Sequence, residues 1–394
     1  MSHHGAVLGC GVLLLVVAGQ ASAPSSSSGG APLPCLGETT TADILNYRNL
    51  SGAAALITGG ASGLGNAAAL ALCMHGADVI LADDGWNATA GEAAANEMNA
   101  IARNVPGAGS ATFMPLDLSK FASVRALAAR VLESELGGRL SIVINNAAGG
   151  STSGTTPDGF NEKFEIDYLG PFLLTELLLP ALRRSAAAHA RGDGPTRAVV
   201  VNVASDVHLH ACETAGWEPG CFGSAKYLPL PSLPPAQVTV HYPDSNYTDT
   251  ESNSLYGACK LLQIQHAAEL AKRESAAAAS AAEQVWALSV HPGSCGSCCG
   301  TTGSAGWHNM SRQTWDKICD VTYRQMPPYP CPFSAAQGAA VYLYAALDAP
   351  VSGVYHSRVT GCGPSPVNEN GFTPSLRAEL YDQSRRWLNL SVYS

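Results

Sequence analysis

Tyr256 and Lys260 form the pair in this sequence that is best suited to proton transfer. Residues four positions apart lie on one face of a helix, so the ammonium can approach the phenol oxygen. A nearby cation favours the phenolate and lowers the pKa of the tyrosine, so that the phenol can serve as both acid and base. Ser205 follows an apolar run and would lie at the carboxyl end of a strand, where its hydroxyl can hold a substrate oxygen. These predicted catalytic residues indicate chemistry at an alcohol or a carbonyl group.

A glycine-rich run between the first apolar stretch and a helical pattern is the sharpest signal for a ligand. Its residues include Thr58, Gly59, Ser62, Gly63, Leu64 and Gly65. Glycines let the backbone approach a pyrophosphate with no Cβ in the way, and a helix N-terminus directs N–H groups at the anion. The run therefore predicts a dinucleotide site, and the alternative is a tight turn that binds nothing.

Polar residues after the next apolar runs would complete this site. Asp83 ends the second run, and its carboxylate can accept hydrogen bonds from ribose hydroxyls and repel a 2′-phosphate. NAD(H) is therefore favoured over NADP(H), which stays the alternative cofactor; a carboxylate here could instead cap the next helix. Further cofactor contacts are expected after the third and fourth runs, from Asp117, Leu118, Asn145, Ala147 and Gly149.

The elements that would position these residues alternate between short apolar β-type runs and longer helical patterns. Strands are predicted at Ala53–Ile57, Asp78–Ala82, Ala111–Pro115, Ser141–Ile144, Ala198–Val203, Val285–Val290 and Gly353–Tyr355. Helices are predicted at Gly63–His75, Ala88–Arg103, Lys120–Leu136, Glu162–Arg184, Ser252–Ser275 and Ser334–Leu347. The alternation is typical of βαβ units. We expect one α/β domain over residues 51–394, with a Rossmann-type, doubly wound, mostly parallel seven-stranded sheet and helices on both faces.

Two long segments break this alternation. Residues 210–251 are rich in Pro, Gly and Tyr and are interpreted as an insertion, and residues 293–332 are rich in Gly, Cys and Pro. Long irregular segments in a compact domain are usually binding loops, with surface decoration as the alternative. The substrate pocket is expected to depend on both.

Composition and charge narrow the range of partners. The 394-residue chain has 46% hydrophobic and 13% charged residues and a net charge of −9. These values suit a buried α/β core and exclude a disordered chain. Because the chain has no run of Lys and Arg to contact phosphates, no nucleic-acid partner is expected.

The N-terminal residues resemble an export signal. The apolar stretch Ala6–Ala18 is followed by the small residues Ala21-Ser22-Ala23, which is typical of a signal peptide over residues 1–23, with an uncleaved membrane anchor as the alternative. Residues 24–50 are expected to form a linker. Glycosylation sequons, which also favour the secretory route, occur at Asn49, Asn87, Asn246, Asn309 and Asn389. We expect a protein of the ER lumen or the exterior, or one held at a membrane by its N-terminal segment.

The 12 cysteines are many for a reduced cytosolic enzyme. Cys73 and Cys259 fall on predicted helices among apolar neighbours and are expected to be buried free thiols. The disulfide candidates are Cys212 with Cys221, and the cluster Cys295, Cys298 and Cys299. A zinc site in that cluster would need a second ligand pair, which is not evident nearby, so no metal is predicted.

In their order and spacing these motifs resemble the short-chain dehydrogenase/reductase family over roughly residues 50–390. The motifs are the glycine-rich run, Asn145–Gly149, Ser205, Tyr256 with Lys260, and His291-Pro292-Gly293. Other stretches are similar to the retinol-dehydrogenase-like enzymes and the WW-domain oxidoreductase, namely Gly91–Glu97, Leu169–Thr175, Asn202–His208 and Leu380–Ser384.

The resemblance implies hydride transfer between NAD(P)(H) and an alcohol or carbonyl group, on a substrate that is often hydrophobic (retinoid-, steroid- or lipid-like). It assigns the acid/base role to Tyr256, with Lys260 and Ser205 as its helpers, and it adds cofactor contacts at Pro292 and Gly293. Relatives commonly pair subunits through the helices that correspond to Glu162–Arg184 and Ser252–Ser275, so a homodimer is one option and the oligomeric state stays open.

One departure from the family pattern concerns the catalytic residues. An Asn usually completes the catalytic set in the helix before the fifth strand, and Asp167 occupies the matching position. Asp can accept a hydrogen bond there, but it cannot donate an amide proton, and it adds charge near Lys260. Two other interpretations stay open: a catalytically impaired dinucleotide-binding or interaction protein, and a protochlorophyllide-reductase-like enzyme. The acidic pair Asp83-Asp84 counts against the second, because those relatives use NADPH.

Overall fold

The computed structural model describes most of the chain after the predicted leader. The described residues are 35, 38–84, 88–150, 154–210, 249–293, 333–367 and 373–390, with the backbone alone for 210 and 249–255. Outside them lie the leader, most of residues 210–251, nearly all of residues 293–332, the sequons at Asn87, Asn246 and Asn309, and the candidate disulfide residues Cys212, Cys221, Cys295, Cys298 and Cys299. Within the described part, no helix has both the length and the apolar character that a membrane span requires.

Seven parallel strands form one sheet in the order β3-β2-β1-β4-β5-β6-β7. They are β1 Ala54–Thr58, β2 Asp78–Asp83, β3 Ala111–Pro115, β4 Leu140–Asn145, β5 Val199–Val203, β6 Trp286–His291 and β7 Tyr355–Ser357. β1, β4 and β5 are buried along their whole length, because helices cover both faces of the sheet, and this explains their continuous apolar runs. The predicted doubly wound fold is confirmed, and every predicted strand has a counterpart, although the seventh runs over Tyr355–Ser357 and not Gly353–Tyr355.

The helices flank this sheet on both sides. They are α1 Thr41–Leu45, α2 Gly63–Met74, α3 Ala88–Ala102, α4 Phe121–Glu133, α5 Glu162–Phe164, α6 Gly170–Ala190, α7 Asp249–Ala277, α8 Ala335–Leu347 and α9 Pro374–Trp387. Short 3-10 turns lie at Glu135–Gly138, Asp206–His210 and Ala281–Glu283. A π-helical turn at Glu165–Leu169 joins α5 to α6, where the sequence predicted one regular helix over Glu162–Arg184.

The order of the strands places a crevice at one edge of the sheet. From β1 the chain builds outward through β2 to β3, and it then returns to add β4 on the other side of β1. The connections after β1 and β4 therefore diverge at the carboxyl ends of these two strands, where ligands bind in such sheets. Buried apolar side chains fill both sides of the sheet, including Leu173 and Leu262 on one side and Leu72 and Val341 on the other.

The residues just before the domain belong to its packed structure. Leu45 and Leu50 are buried, and a disulfide joins Cys35 to Cys362 after β7. The buried Arg358 donates hydrogen bonds to the carbonyl oxygens of Cys35 (2.7 Å) and Thr39 (3.0 Å). The predicted linker over 24–50 is therefore wrong for its second half, and this disulfide was not among the predicted pairs. Because the two cysteines lie 327 residues apart, their spacing gave no signal.

The last helix, α9, packs against α7 and the outer side of α6. Tyr381 and Arg385 on α9 contact the buried carboxylate of Glu176 on α6. Arg377 donates a hydrogen bond of 2.6 Å to Gln265 on α7. Part of the helix pair that we expected at a dimer interface is therefore covered by the chain itself, and dimerisation stays a prediction.

Candidate active site

The glycine-rich turn between β1 and α2 is tightly packed at Gly65 and open at Gly63. Gly59 and Gly63 have positive φ angles of +65° and +54°. A Cβ on Gly65 would lie 2.3 Å from the carbonyl oxygen of Gly59, whereas a Cβ on Gly63 would meet nothing within 4 Å. The Ser62 side chain makes no capping hydrogen bond to the start of α2 among the described residues. The turn therefore leaves the N-terminus of α2 accessible to a ligand.

Thr58 and Asn146 tie this turn to the end of β4. The Thr58 hydroxyl accepts hydrogen bonds from the backbone N–H groups of Asn146 (2.9 Å) and Ala147 (3.0 Å). The Asn146 amide in turn donates to the Thr58 carbonyl oxygen at 2.9 Å. Thr58 is fully buried, so its side chain stabilises the turn from the interior of the protein. Asn146 was not among the predicted site residues; its position in the motif Asn145–Gly149 was the signal that could have identified it.

Asp83, at the end of β2, lies beside the same turn. Its carboxylate accepts hydrogen bonds from the backbone N–H groups of Ala61 and Asp84, each at 3.0 Å. Burial raises the pKa of Asp83, against which both hydrogen bonds act. The side chain is partly exposed, so an oxygen of this carboxylate can also meet a ribose hydroxyl.

Some of the remaining predicted cofactor residues are buried or bonded to their neighbours, and others are partly exposed. The Asp117 carboxylate accepts from Ser119 (2.6 Å) and pairs with Lys120 (2.7 Å). Asn145 is fully buried and donates to the Asn202 side chain at 2.9 Å. Leu118 is buried as well, Ala147 and Gly149 are partly exposed, and Leu64 is partly exposed at the start of α2. Pro292 and Gly293 follow β6, and a Cβ on Gly293 would meet the Phe333 ring at 2.6 Å.

These observations fit a dinucleotide in the crevice. Gly63 offers open space at a helix N-terminus, as a pyrophosphate requires, and Asp83 lies where a ribose would follow. Ala147 and Gly149 follow β4, which lies between β1 and β5 in the sheet. The residues that would hold the group are therefore the turn Gly59–Gly65, Asp83 and the segment after β4.

Ser205, Tyr256 and Lys260 come together at the carboxyl end of β5. The Ser205 side chain lies near enough to the Tyr256 phenol to lower its pKa. The Lys260 ammonium lies 5.3 Å from the centroid of the Tyr256 ring and donates to the carbonyl oxygen of Val203 (2.8 Å) and to Gln263 (3.1 Å). Lys260 is buried, while Tyr256 is partly exposed. The structure thus brings the three predicted catalytic residues into one cluster.

The electrostatics of this cluster differ from the expectation of a lowered tyrosine pKa. Burial raises the pKa of Tyr256, and the charge of Asp167 raises it further, while the hydrogen bond from Ser205 lowers it. Burial lowers the pKa of Lys260, against which Asp167 acts. The prediction was wrong in direction because desolvation of the phenol and the charge of Asp167 both disfavour the phenolate.

Asp167 lies on the π-helical turn, with no exposed surface. Its Oδ1 accepts a hydrogen bond of 2.8 Å from the backbone N–H of Gly149, and its Oδ2 lies 3.6 Å from the Lys163 ammonium. The carboxylate therefore connects the segment after β4 to the cluster around Tyr256. Lys163 was not among the predicted site residues.

Asp206 and His291 form a second polar pair next to Ser205. The His291 Nε2 lies 3.4 Å from one carboxylate oxygen of Asp206, and the Ser205 hydroxyl donates to the other at 3.3 Å. Burial raises the pKa of Asp206, but His291 and these hydrogen bonds outweigh burial and lower it to about 2. Asp206 thus stays charged and can orient the Ser205 hydroxyl.

Comparison with known proteins gives the same family. The short chain dehydrogenase model matches residues 53–214. Human dehydrogenase/reductase SDR family member 13 is 44% identical over 153 residues, which is 36% of this chain and 38% of that protein. The WW domain-containing oxidoreductase of Danio rerio is 28% identical over 357 residues, which is 89% of this chain and 72% of that protein. Mouse retinol dehydrogenase 12 is 37% identical over 161 residues, or 41% and 45% of the two chains.

Solved structures share the fold at low sequence identity. An uncharacterised protein from Mycobacterium Paratuberculosis matches 89% of this chain and 98% of its own, with a TM-score of 0.57 and 22% identity. RhlG of Pseudomonas aeruginosa, in an active-site complex with NADP, matches 79% and 96% with a TM-score of 0.52 and 22% identity. These two structures, each 22% identical to this chain, establish the fold alone. The match with SDR family member 13 spans only 38% of that relative. The family model and the curated relatives together support a short-chain dehydrogenase/reductase of the retinol-dehydrogenase-like branch.

Proposed function

We propose that this chain is an NAD(P)(H)-dependent oxidoreductase that acts on an alcohol or carbonyl group of a hydrophobic substrate. The observation that carries the proposal is the cluster of Ser205, Tyr256 and Lys260 at the mouth of a crevice whose glycine-rich turn is open at Gly63. The two halves of a hydride-transfer site, a dinucleotide cradle and a proton donor, therefore meet at the same edge of the sheet.

Each residue of the cluster has a distinct task. A bound nicotinamide would supply or accept the hydride. Tyr256 exchanges a proton with the substrate oxygen, and Ser205, which lies beside the phenol, holds that oxygen in place. The Lys260 amino group lies 5.3 Å from the centroid of the Tyr256 ring, and its contacts with Val203 and Gln263 fix it there. A positive charge on this group favours the phenolate that is needed to remove a proton from an alcohol.

NAD(H) is the cofactor we favour. The Asp83 carboxylate at the end of β2 supports this preference, since a 2′-phosphate beside it would meet a negative charge. The variant Asp83→Asn keeps an oxygen for the Ala61 N–H and removes the charge. It should raise kcat/KM for NADP⁺ relative to NAD⁺, and Asp84→Asn next to it is the matched control.

A hydrophobic substrate is supported by the names of relatives. Besides retinol dehydrogenase 12, mouse polyprenol dehydrogenase is 37% identical over 158 residues, which is 43% of its length. Those names describe substrates of those proteins, and we extend to this chain only the class that they share, a long apolar alcohol.

The test is a substrate screen on the full chain. Retinol, long-chain alcohols, polyprenols and steroids would be offered with NAD⁺ and with NADP⁺, and the formation of reduced cofactor followed by absorbance. Tyr256→Phe should lower turnover by about 100-fold or more, because it removes the proton-transfer group, and should leave NADH binding unchanged. Turnover that survives this substitution would contradict the assignment.

A catalytically impaired dinucleotide-binding protein is the second candidate. The observation that favours it is Asp167, whose charge raises the pKa of Tyr256 and so opposes loss of the phenolic proton. Tight NADH binding without turnover of any substrate in the screen would decide for this candidate.

We further propose that the protein occupies the secretory pathway. The Cys35–Cys362 disulfide supports an oxidising compartment. The sequon residues Asn49 and Asn389 are both exposed and accessible to glycosylation. Digestion with an N-glycosidase should shift the mass of protein purified from secretory membranes, and the double variant Asn49→Gln/Asn389→Gln should reduce that shift. An unglycosylated protein with free Cys35 and Cys362 thiols would contradict the proposal.

A further inference from the structure

Asp167 brings a buried negative charge close to the group that must lose a proton. Its side chain has no exposed surface, and its Oδ1 is held by the Gly149 N–H at 2.8 Å. Its Oδ2 makes no hydrogen bond within the described part of the chain. The nearest cation to this oxygen is the Lys163 ammonium, at 3.6 Å. A buried carboxylate is costly unless it is paired, so this contact matters more than a surface ion pair would.

Besides Asp167, Lys163 contacts the Gly149 backbone and the ring of Tyr256. Its ammonium donates a hydrogen bond of 2.8 Å to the carbonyl oxygen of Gly149, whose N–H is bound to Asp167. The same ammonium lies 5.5 Å from the centroid of the Tyr256 ring, nearly the distance of Lys260 at 5.3 Å. Only 12% of the Lys163 side chain is exposed. The phenol ring therefore has an ammonium from α5 and another from α7 near it.

The charges around Tyr256 show what Lys163 contributes. Among the described residues, the groups whose charge raises the pKa of the phenol include Asp167 from the π-helical turn, Asp206 from the 3-10 turn and Cys259 from α7. The cations are Lys260 from α7 and Lys163 from α5. Without Lys163, the buried charge of Asp167 would act on the phenol with one cation fewer to offset it.

We propose that Lys163 is a positioning residue for the reaction: its ammonium balances Asp167 and, with it, clamps the Gly149 backbone, so that Tyr256 can exchange its proton beside a correctly held cofactor. The inference rests on the proposed oxidoreductase function. It assigns to this chain a pair, Lys163 with Asp167, at the position where relatives carry a neutral Asn.

The pair makes a specific prediction for single and double variants of the full chain. Lys163→Met should move the ascending limb of the kcat/KM pH profile for alcohol oxidation about one unit higher, so that activity on this limb falls about tenfold. It should also weaken NADH binding, measured by fluorescence titration, because the Gly149 carbonyl loses its donor. Adding Asp167→Asn should return the pH profile to within about threefold of wild type, because the unbalanced charge is gone.

Two further variants separate this role from a merely structural one. Lys163→Arg keeps the cation and should retain the wild-type pH profile. Lys272→Met removes a 64% exposed lysine, paired with Glu269 at 3.9 Å on the same helix as Tyr256, and should change neither the profile nor NADH binding.

The outcomes distinguish failure of the inference from failure of the proposed function. If wild type is active and Lys163→Met lowers only thermal stability, with pH profile and NADH affinity unchanged, the inference is wrong and the function stands. If the double variant is no better than Lys163→Met, charge balance is not the reason. If wild type binds NADH without turnover, the NADH affinity of Lys163→Met is the test of the inference. A weaker affinity than that of wild type supports it, and an unchanged affinity overturns it. A wild type that neither binds NADH nor oxidises any alcohol overturns both.

Discussion

The two ends of the crevice satisfy their polar groups in different ways. At the phosphate end, which comprises the turn Thr58–Gly65 with Asn146, the hydrogen bonds between the turn and the segment after β4 join neutral groups, such as the Thr58 hydroxyl and the N–H of Ala147 at 3.0 Å. The carboxylate beside this turn, Asp83, accepts from the N–H of Ala61. At the catalytic end, which comprises Ser205, Tyr256, Lys260, Asp167 and Lys163, buried charges lie within a few ångström of one another. The first end depends on backbone shape and the second on charge balance.

This difference determines how substitutions should act. Neutral hydrogen bonds and close backbone contacts contribute to folding, so damage at the phosphate end should appear as lost stability. Buried charges cost folding energy and are retained for function, so changes at the catalytic end should affect turnover more than stability. The predictions below test this contrast.

The largest expected effect is that of Gly65→Ala at the phosphate end. The new Cβ would lie 2.3 Å from the Gly59 carbonyl oxygen and 2.7 Å from the Asn146 amide nitrogen. Because the first contact is with backbone, we expect a loss of about 3 kcal/mol or more in the free energy of unfolding, measured by chemical denaturation. Gly63→Ala, which meets nothing within 4 Å, should cost only about 1–2 kcal/mol for its positive φ, but should weaken NADH binding. Equal losses of unfolding free energy in Gly65→Ala and Gly63→Ala would contradict this expectation.

At the catalytic end, Lys260→Met should separate turnover from stability. We expect turnover to fall by about 100-fold or more and the unfolding free energy at neutral pH to stay within about 1 kcal/mol of wild type. Burial lowers the pKa of Lys260 in the folded chain below 10.5, its value in the unfolded chain. At pH values between these two pKa values, the unfolded chain binds a proton that the folded chain lacks. Wild-type stability should therefore rise with pH towards 10.5, and the variant should lack this slope. A large loss of stability at neutral pH would show that this end, too, depends on packing.

Much of the phosphate end could be predicted from the sequence, because its residues are neighbours along the chain. A glycine-rich run between an apolar strand and a helix fixes both the turn and its place in the sheet. Tyr256 and Lys260 could be predicted in the same way, from a spacing of one helical turn. Even here Asn146 was missed, since its bonds to Thr58 cross from β4 to β1.

The rest of the catalytic end depends on contacts that no local pattern reports. Lys163 is one helical turn from Asp167, but its importance comes from Gly149 and Tyr256, which other elements bring next to it. The sign of the Tyr256 pKa shift depends on burial, which spacing alone does not give. The Cys35–Cys362 disulfide likewise required the fold to bring distant residues together.

A smaller effect is expected from Thr58→Val, which keeps the shape of the side chain and removes the hydroxyl. The N–H groups of Asn146 and Ala147 would lose an acceptor in a buried position. We expect a loss of about 1–3 kcal/mol in the free energy of unfolding, measured by denaturation, and Thr58→Ser should recover most of it. A Thr58→Val protein as stable as wild type would show that these bonds contribute little.

The smallest effect concerns Glu165, a second buried carboxylate on the π-helical turn that carries Asp167. Thr156 donates a hydrogen bond to it, but, unlike Asp167, it has no cation paired with it among the described residues. Burial raises the pKa of Glu165 from 4.5 to about 8. Between these values the folded chain holds a proton that the unfolded chain has lost, so this group's contribution to stability falls as pH rises.

Glu165→Gln removes this titration, since the amide cannot ionise. The variant should melt at nearly the wild-type temperature at about pH 5 and a few degrees higher than wild type at about pH 9, where the wild-type carboxylate is charged without a partner. Glu133→Gln, which removes an exposed carboxylate from α4, should leave the pH dependence of melting unchanged. If Glu165→Gln instead melts lower at the alkaline pH, this carboxylate has a partner that stabilises its charge, and the contrast between the paired Asp167 and the unpaired Glu165 does not hold.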